Sequence, residues 1–154
     1  DVIVENTGEG TDTVQASFSY VLGNNLENLV LTGALDRSGY GNALDNGITG
    51  NSGNNTLKGY AGNDTLNGAM CNDTLYGGLG ADVFVFDTGS GADTVADFTA
   101  AQNDTINVNA YTHGTAHAAY LHQVGADTTI DLGGGNIITV SNAVIANVSA
   151  HMVW

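Results

Sequence analysis

Through the middle of the chain a large apolar residue returns every nine positions, at Ile48, Leu57, Leu66, Leu75 and Phe84, each at the centre of a three-residue segment. The six residues between these segments are rich in Gly, Asn and Asp. This pattern predicts a six-residue turn followed by a short strand whose middle side chain points inward while its neighbours point outward. Laid out in nines, the chain reads GNALDNGIT from Gly41, GNSGNNTLK from Gly50, GYAGNDTLN from Gly59, GAMCNDTLY from Gly68 and GGLGADVFV from Gly77. The first position is always glycine, the sixth is Asn46, Asn55, Asp64, Asp73 and Asp82, and the eighth is the apolar residue. This is the nonapeptide G-G-x-G-x-D-x-U-x, with U a large apolar residue.

Two such units close one coil of a right-handed parallel β-roll, an all-β solenoid. Turns two units apart then stack on one edge, and each coil rises by about 4.8 Å, the spacing of paired strands. The turn glycines are expected to take φ angles closed to other residues. The period loosens downstream but stays legible: TGSGADTVA puts Asp93 sixth and Val95 eighth, and TAAQNDTIN supplies Asp104 and Ile106. The core ladder is therefore Ile48, Leu57, Leu66, Leu75, Phe84, Val95 and Ile106. Upstream, TGEGTDTV repeats the turn signature with Asp12 and Val14 and predicts a partial coil.

Stacked in this way, one edge carries Asn46, Asp64, Asp82 and Asp104 and the other Asn55, Asp73 and Asp93. Calcium takes six to eight oxygens at about 2.3–2.6 Å. Two carboxylates one coil apart, with turn carbonyls between them, meet that demand. The expected ligand set is Asp64, Asp82, Asp73, Asp93 and Asp104, with Asp97, the carbonyl-bearing turn residues Gly59, Gly62, Gly77 and Gly80, and the weaker positions Asn46 and Asn55. Ions are expected between Asp64 and Asp82, between Asp82 and Asp104, and between Asp73 and Asp93, within a total of about three to six. Sites relying on Asn46 or Asn55 lack a negative charge and should be weak or empty. Asp64→Asn is expected to weaken two ions and Asp93→Asn one.

Composition sharpens this picture. The chain has 154 residues, 22 of them Gly and none Pro, and 16 acidic against 2 basic residues give a formal net charge of -14. An acidic surface repels phosphate backbones and anionic lipids, so nucleic acid and membrane surfaces are poor partners unless metal ions invert the charge, and cations are favoured. No apolar run approaches the roughly 20 residues of a membrane helix. The single cysteine, Cys71, forbids an internal disulfide. It stands at a fourth position, where glycine is expected, and predicts a distorted turn from Gly68 to Asp73 with a weak ion. No leader precedes Asp1, so the chain reads as a fragment or processed product.

Other chemistry is sparse. His113 and His117 in HGTAH have the spacing of two zinc ligands on a helix, but Gly114 stands where a zinc protease carries its general base, and a surface or packing role is expected. There is no G-x-S-x-G elbow and no G-x-G-x-x-G, so no enzymatic centre is expected in this chain. Tyr40, Lys58 and Tyr76 should share one outward column and could contact a glycan. An ice-binding face is disfavoured, because the third turn position reads Ser52, Ala61, Met70 and Leu79 instead of a threonine row.

These residues resemble the RTX, or haemolysin-type, calcium-binding repeats. DVFVFDTGSGADTVADF from Asp82 and QVGADTTIDLGGGNIITV from Gln123 are similar to the C-terminal β-roll region of serralysin-type proteases. Related regions occur in lipases and mannuronan C5-epimerases. The resemblance implies a secreted, extracellular protein exported by the type I secretion apparatus of a Gram-negative cell through an uncleaved C-terminal signal. The ending AHMVW occupies the place of that signal, with His151 where an acidic residue is common. The function expected is calcium-dependent folding and stabilisation of a secreted parent; the alternative is a polysaccharide-binding accessory module. The expected layout is a single domain, 1–154, in which 1–40 are an N-terminal cap or irregular coil, 41–108 the repeats and 109–154 a C-terminal cap. That cap should hold a short helix near Tyr111 to Leu121 and a hairpin from Val124 to Val140 turned at Gly133 to Gly135.

Overall fold

The computed structural model describes residues 3, 5, 6, 8, 10–112 and 120–154. The nine-residue units fold as turn and strand, and alternate strands fall on opposite sheets. One sheet holds β1 (Thr13–Ala16), β3 (Asn28–Leu31), β5 (Gly47–Thr49), β7 (Thr65–Asn67), β9 (Val83–Val85), β11 (Thr105–Asn107) and β15 (Met152–Val153), in that order and all parallel. The other runs from β2 (Tyr20–Val21) through β4 (Ser38–Tyr40), β6 (Thr56–Ala61), β8 (Thr74–Leu79) and β10 (Ala92–Val95) to β14 (Asn136–Val140), β13 (Asp127–Gly133) and β12 (Leu121–Val124). Only the last two join antiparallel, which ends the parallel stack. This is a parallel β-roll.

Register follows from the inward apolar residues, because a slip by one would turn each of them into solvent. Val14, Leu29, Ile48, Leu66, Phe84 and Ile106 form one inner column, all buried. Leu57, Leu75, Val95 and Val140 form the facing column. The N-terminal segments TVQASFSYVL and NLENLVLTG supply β1, β2 and β3 and continue the stack as coils of irregular length.

At the other end Gly134 and Gly135, both at positive φ, turn β13 into β14. A short helix α1 (Asn109–Thr112) leaves β11, whereas Leu121 opens a strand instead of ending a helix. The histidines of HGTAH lie outside the described residues. A second helix α2 (Ile145–Ala150) returns the chain to the first sheet, where β15 pairs with β11. The terminal HMVW segment is thus the last rung of the roll: Ile106 N donates to His151 O at 2.9 Å and Val108 N to Val153 O at 2.8 Å. Among the described residues no helix is long and apolar enough to cross a membrane.

Candidate calcium-binding turns

The sixth-position side chains stack in two columns along the edges of the roll, and each acid bonds to the coil before it. Asp64 Oδ1 accepts from Asn46 N at 2.7 Å, Asp82 Oδ1 from Asp64 N at 2.9 Å and Asp104 Oδ1 from Asp82 N at 3.1 Å. On the opposite edge Asp73 Oδ1 accepts from Asn55 N at 2.7 Å and Asp93 Oδ1 from Asp73 N at 2.9 Å. Both edges therefore assemble in the predicted order. The second oxygen is different: Oδ2 of Asp64, Asp73, Asp82 and Asp93 is buried without a hydrogen-bond partner, as is that of Asp12. A buried, unpaired carboxylate oxygen is costly, so each of these atoms calls for a donor or a cation.

The first-position glycines make room for those oxygens. A Cβ on Gly59 would collide with Asp64 Oδ2 and lie 2.7 Å from Gly77 O; one on Gly68 would collide with Asp73 Oδ2, and one on Gly77 with Asp82 Oδ2. Glycine is needed here for close approach, since none of these three residues has positive φ. The left-handed positions are the second and fourth: Tyr60 and Gly62, Ala69 and Cys71, Gly78 and Gly80, Gly89 and Gly91. The expected positive φ is thus found at Gly62, Gly78, Gly80, Gly89 and Gly91, whereas the first-position glycines serve close approach instead. At Asp64 a carboxylate oxygen, the carbonyl of Gly77 and a left-handed turn converge, which is the chemistry of a hard, oxygen-seeking cation, and Asp73 and Asp82 repeat the close approach of carboxylate and glycine. Among the described residues no three His, Cys, Asp or Glu side chains cluster, so any cation here needs backbone carbonyls as well as carboxylates.

Electrostatics reinforce this. Burial pushes Asp64 and Asp73 from the ordinary 3.8 to about 7, and Asp82 and Asp93 to about 6. The backbone N–H that each accepts from works against burial. Neighbouring carboxylates, Asp82 for Asp64, Asp93 for Asp73 and Asp104 for Asp82, push up further. Burial also raises Asp97 and Asp104. Asp97 Oδ1 accepts from Gly77 N at 2.9 Å, and Asp104 Oδ2 from Thr99 N at 2.7 Å, so the last turn of this edge is partly satisfied by backbone.

A second ladder escaped sequence reasoning. At the fifth position Asp45 Oδ1 accepts from Asn63 N and Asn63 Oδ1 from Ala81 N; on the other edge Asp36 accepts from Asn54 N, Asn54 from Asn72 N and Asn72 from Ala92 N. These bonds run up the stack, while those of the sixth position run down it. The recurrence of Asp or Asn at Asp45, Asn54, Asn63 and Asn72 was the available signal.

Cys71 adopts φ 74°, yet its turn keeps the stacking bonds of Asp73 seen in the other turns. The substitution is accommodated as backbone strain. Cys71→Gly is expected to stabilise the protein by about 1 kcal/mol, or roughly 2–4 °C in a thermal melt at saturating calcium. An unchanged or lower melting temperature would show that the turn is unstrained.

Fold and turns together define a calcium-binding repeat solenoid. Residues 49–84 match the RTX calcium-binding nonapeptide repeat in four copies, and the parallel stack of strands extends beyond the matched segment on both sides. The solution structure of the AlgE6R3 subunit of the Azotobacter vinelandii mannuronan C5-epimerase is similar: 28% identity, TM-score 0.61, covering 88% of this chain and 82% of that one. The crystal structure of the extracellular lipase LipA from Serratia marcescens shares the fold at 24% identity and TM-score 0.61 over 76% of this chain, which spans only 20% of the lipase. No curated protein sequence matches the chain. Both similar structures belong to enzymes, and the lipase is an extracellular one.

Proposed function

We propose that this domain is a calcium-operated folding module of a secreted protein, open where calcium is scarce and assembled where it is plentiful. The observation that carries the reading is the two columns of buried, unpartnered Oδ2 atoms, on Asp64 and Asp82 at one edge and on Asp73 and Asp93 at the other. With a net charge of -14 and 2 basic residues, the chain has little of its own to neutralise them. The ions are assigned between Asp64 and Asp82, Asp73 and Asp93, and Asp82 and Asp104, with Asp97 beside the last and the carbonyls of Gly59, Gly62, Gly77 and Gly80 completing the shells. Extracellular calcium modules bind at about 10⁻⁴ to 10⁻³ M, so cytosolic calcium would leave such sites empty. At tenfold excess over the dissociation constant each ion adds about 1.4 kcal/mol, and three add about 4 kcal/mol, a large part of a typical domain's stability. This supports export of an unfolded chain by a type I system of a Gram-negative cell, with folding outside. Far-UV circular dichroism after chelation should show a large coil signal that converts to β between sub-millimolar and millimolar calcium. A β spectrum indifferent to calcium would sink the reading.

A second reading rests on one observation. Tyr40, Lys58 and Tyr76 are in register on β4, β6 and β8, with Lys58 Nζ 4.5 Å from the centre of the Tyr76 ring. Such a row suits a sugar polymer, and the similar epimerase subunit belongs to an enzyme named for mannuronan. Polysaccharide binding that vanished in Tyr76→Ala would support it.

A further inference from the structure

The stack contains two kinds of turn, and only one leaves oxygens unpaired. In the turn from Gly41 to Asn46, Asn42 Nδ2 donates to Gly23 O at 2.8 Å and Leu26 O at 2.7 Å, and Asn46 Nδ2 to Leu26 O and Glu27 O at 3.2 Å each. In the turn from Gly50 to Asn55, Asn51 Nδ2 donates to Thr32 O at 3.2 Å and Leu35 O at 3.0 Å, while Asn55 Nδ2 reaches Arg37 O at 3.3 Å. The side-chain carbonyls are used as well: Asn46 Oδ1 accepts from Asn42 N and Asn55 Oδ1 from Asn51 N, both at 2.7 Å. Neither Asn42 nor Asn51 has positive φ, unlike Tyr60, Ala69, Gly78 and Gly89 at the same position of the acidic turns.

An asparagine amide is a neutral group with two N–H donors, so placed among carbonyls it supplies the positive end that a cation would otherwise supply. The pairing is systematic: asparagine at the second position goes with asparagine at the sixth, and a residue without a side-chain amide at the second goes with aspartate at the sixth. None of the buried, unpartnered side-chain oxygens among the described residues belongs to Asn42, Asn46, Asn51 or Asn55. Asn46 and Asn55 are also buried, at 2% exposure each, and the fifth-position carboxylates of Asp36 and Asp45 tie these coils to their neighbours through backbone donors.

We propose that the coils closed by Asn42, Asn46, Asn51 and Asn55 fold without calcium and form the template on which the acidic coils assemble when calcium arrives. This rests on the reading that the acidic turns are calcium sites. The device divides the roll into a metal-independent part around β3 to β5 and a metal-dependent part from β7 to β10. It confines loop closure on ion binding to the addition of one coil onto an existing edge, which costs less than closing the first coil from an open chain.

Hydrogen exchange read by mass spectrometry on the full chain, with EGTA or with calcium chloride at neutral pH, tests this. In EGTA, peptides covering β3 to β5 should retain protection while those covering β7 to β10 exchange at least about tenfold faster, and calcium should slow only the second group strongly. Asn46→Asp should remove the protection of β3 and β5 in EGTA, while its calcium-loaded exchange pattern verifies that the variant folds. Equal loss of protection across β3 to β10 in EGTA, regained at one calcium concentration, would overturn the template while leaving the calcium reading intact. Protection of β7 to β10 that ignores calcium would overturn both. Undiminished protection in Asn46→Asp would overturn the role of the amides.

Discussion

Asp82→Asn should cost the roll two calcium ions, and Asp93→Asn one. Asp82 stands between two acids of its column: its Oδ1 accepts from Asp64 N, and its own N–H donates to Asp104 Oδ1. Its Oδ2, without a partner, sits where a Cβ on Gly77 would fall. Asp93 meets one acid of its column, Asp73, whose N–H donates to Asp93 Oδ1. Asp64, which the spacing alone placed between two ions, faces on one side the amide-closed turn of Asn46, and so is assigned to a single ion with Asp82. The substitution to asparagine keeps the shape and removes the charge, so the loss falls on the ion before the fold. At calcium tenfold above the dissociation constant, two ions correspond to about 3 kcal/mol and one to about 1.4 kcal/mol. Equilibrium dialysis for ion number, with urea titration at the same calcium for stability, checks the ratio. Equal losses in the two variants would contradict the stacking assignment.

Acid should substitute for calcium. In the metal-free protein Asp64 and Asp73 bind their protons with pKa about 7 and Asp82 and Asp93 with about 6, against an ordinary 3.8, chiefly because burial disfavours the anion. The folded chain then holds protons more tightly than the unfolded one. This contribution is complete below about pH 4 and is lost as pH rises through 6 to 7. Calcium-depleted protein, open at pH 8, should accordingly gain β structure at pH 5 in far-UV circular dichroism, because protonation favours the folded roll by on the order of a few kcal/mol. With calcium present the slope reverses, because the ion requires the carboxylates deprotonated and its affinity falls on acidification. A calcium-free protein less stable at pH 5 than at pH 8 would mean that these carboxylates are hydrated and unstrained.

The repeat region was readable because each unit encodes its own turn and strand locally, and fixed spacing then dictates which residues stack. The inner column from Ile48 to Ile106 and both edges of sixth-position residues followed from counting alone. The N-terminal coils were less legible, since Val14 lies under Leu29 and Leu29 under Ile48 with unequal spacings that no period reveals. Their strands could be named but not their register. The difference between amide-closed and acidic turns was also hidden: Asn46 and Asn55 looked like aspartates lacking a charge, whereas their amides donate to carbonyls of the preceding coil, in turns without the positive φ of the acidic ones. The terminal strand β15 is held by backbone bonds to β11, a long-range pairing to which side-chain pattern contributes little.

The most direct test is a crystal structure grown in calcium, with ions located by their anomalous scattering. The account predicts peaks between Asp64 and Asp82, Asp73 and Asp93, and Asp82 and Asp104, each within about 2.3–2.6 Å of a carboxylate oxygen and turn carbonyls, and no peak in the turns closed by Asn46 and Asn55. Ions seated instead on the exposed fifth-position ladder, or an acidic column without ions at millimolar calcium, would contradict it.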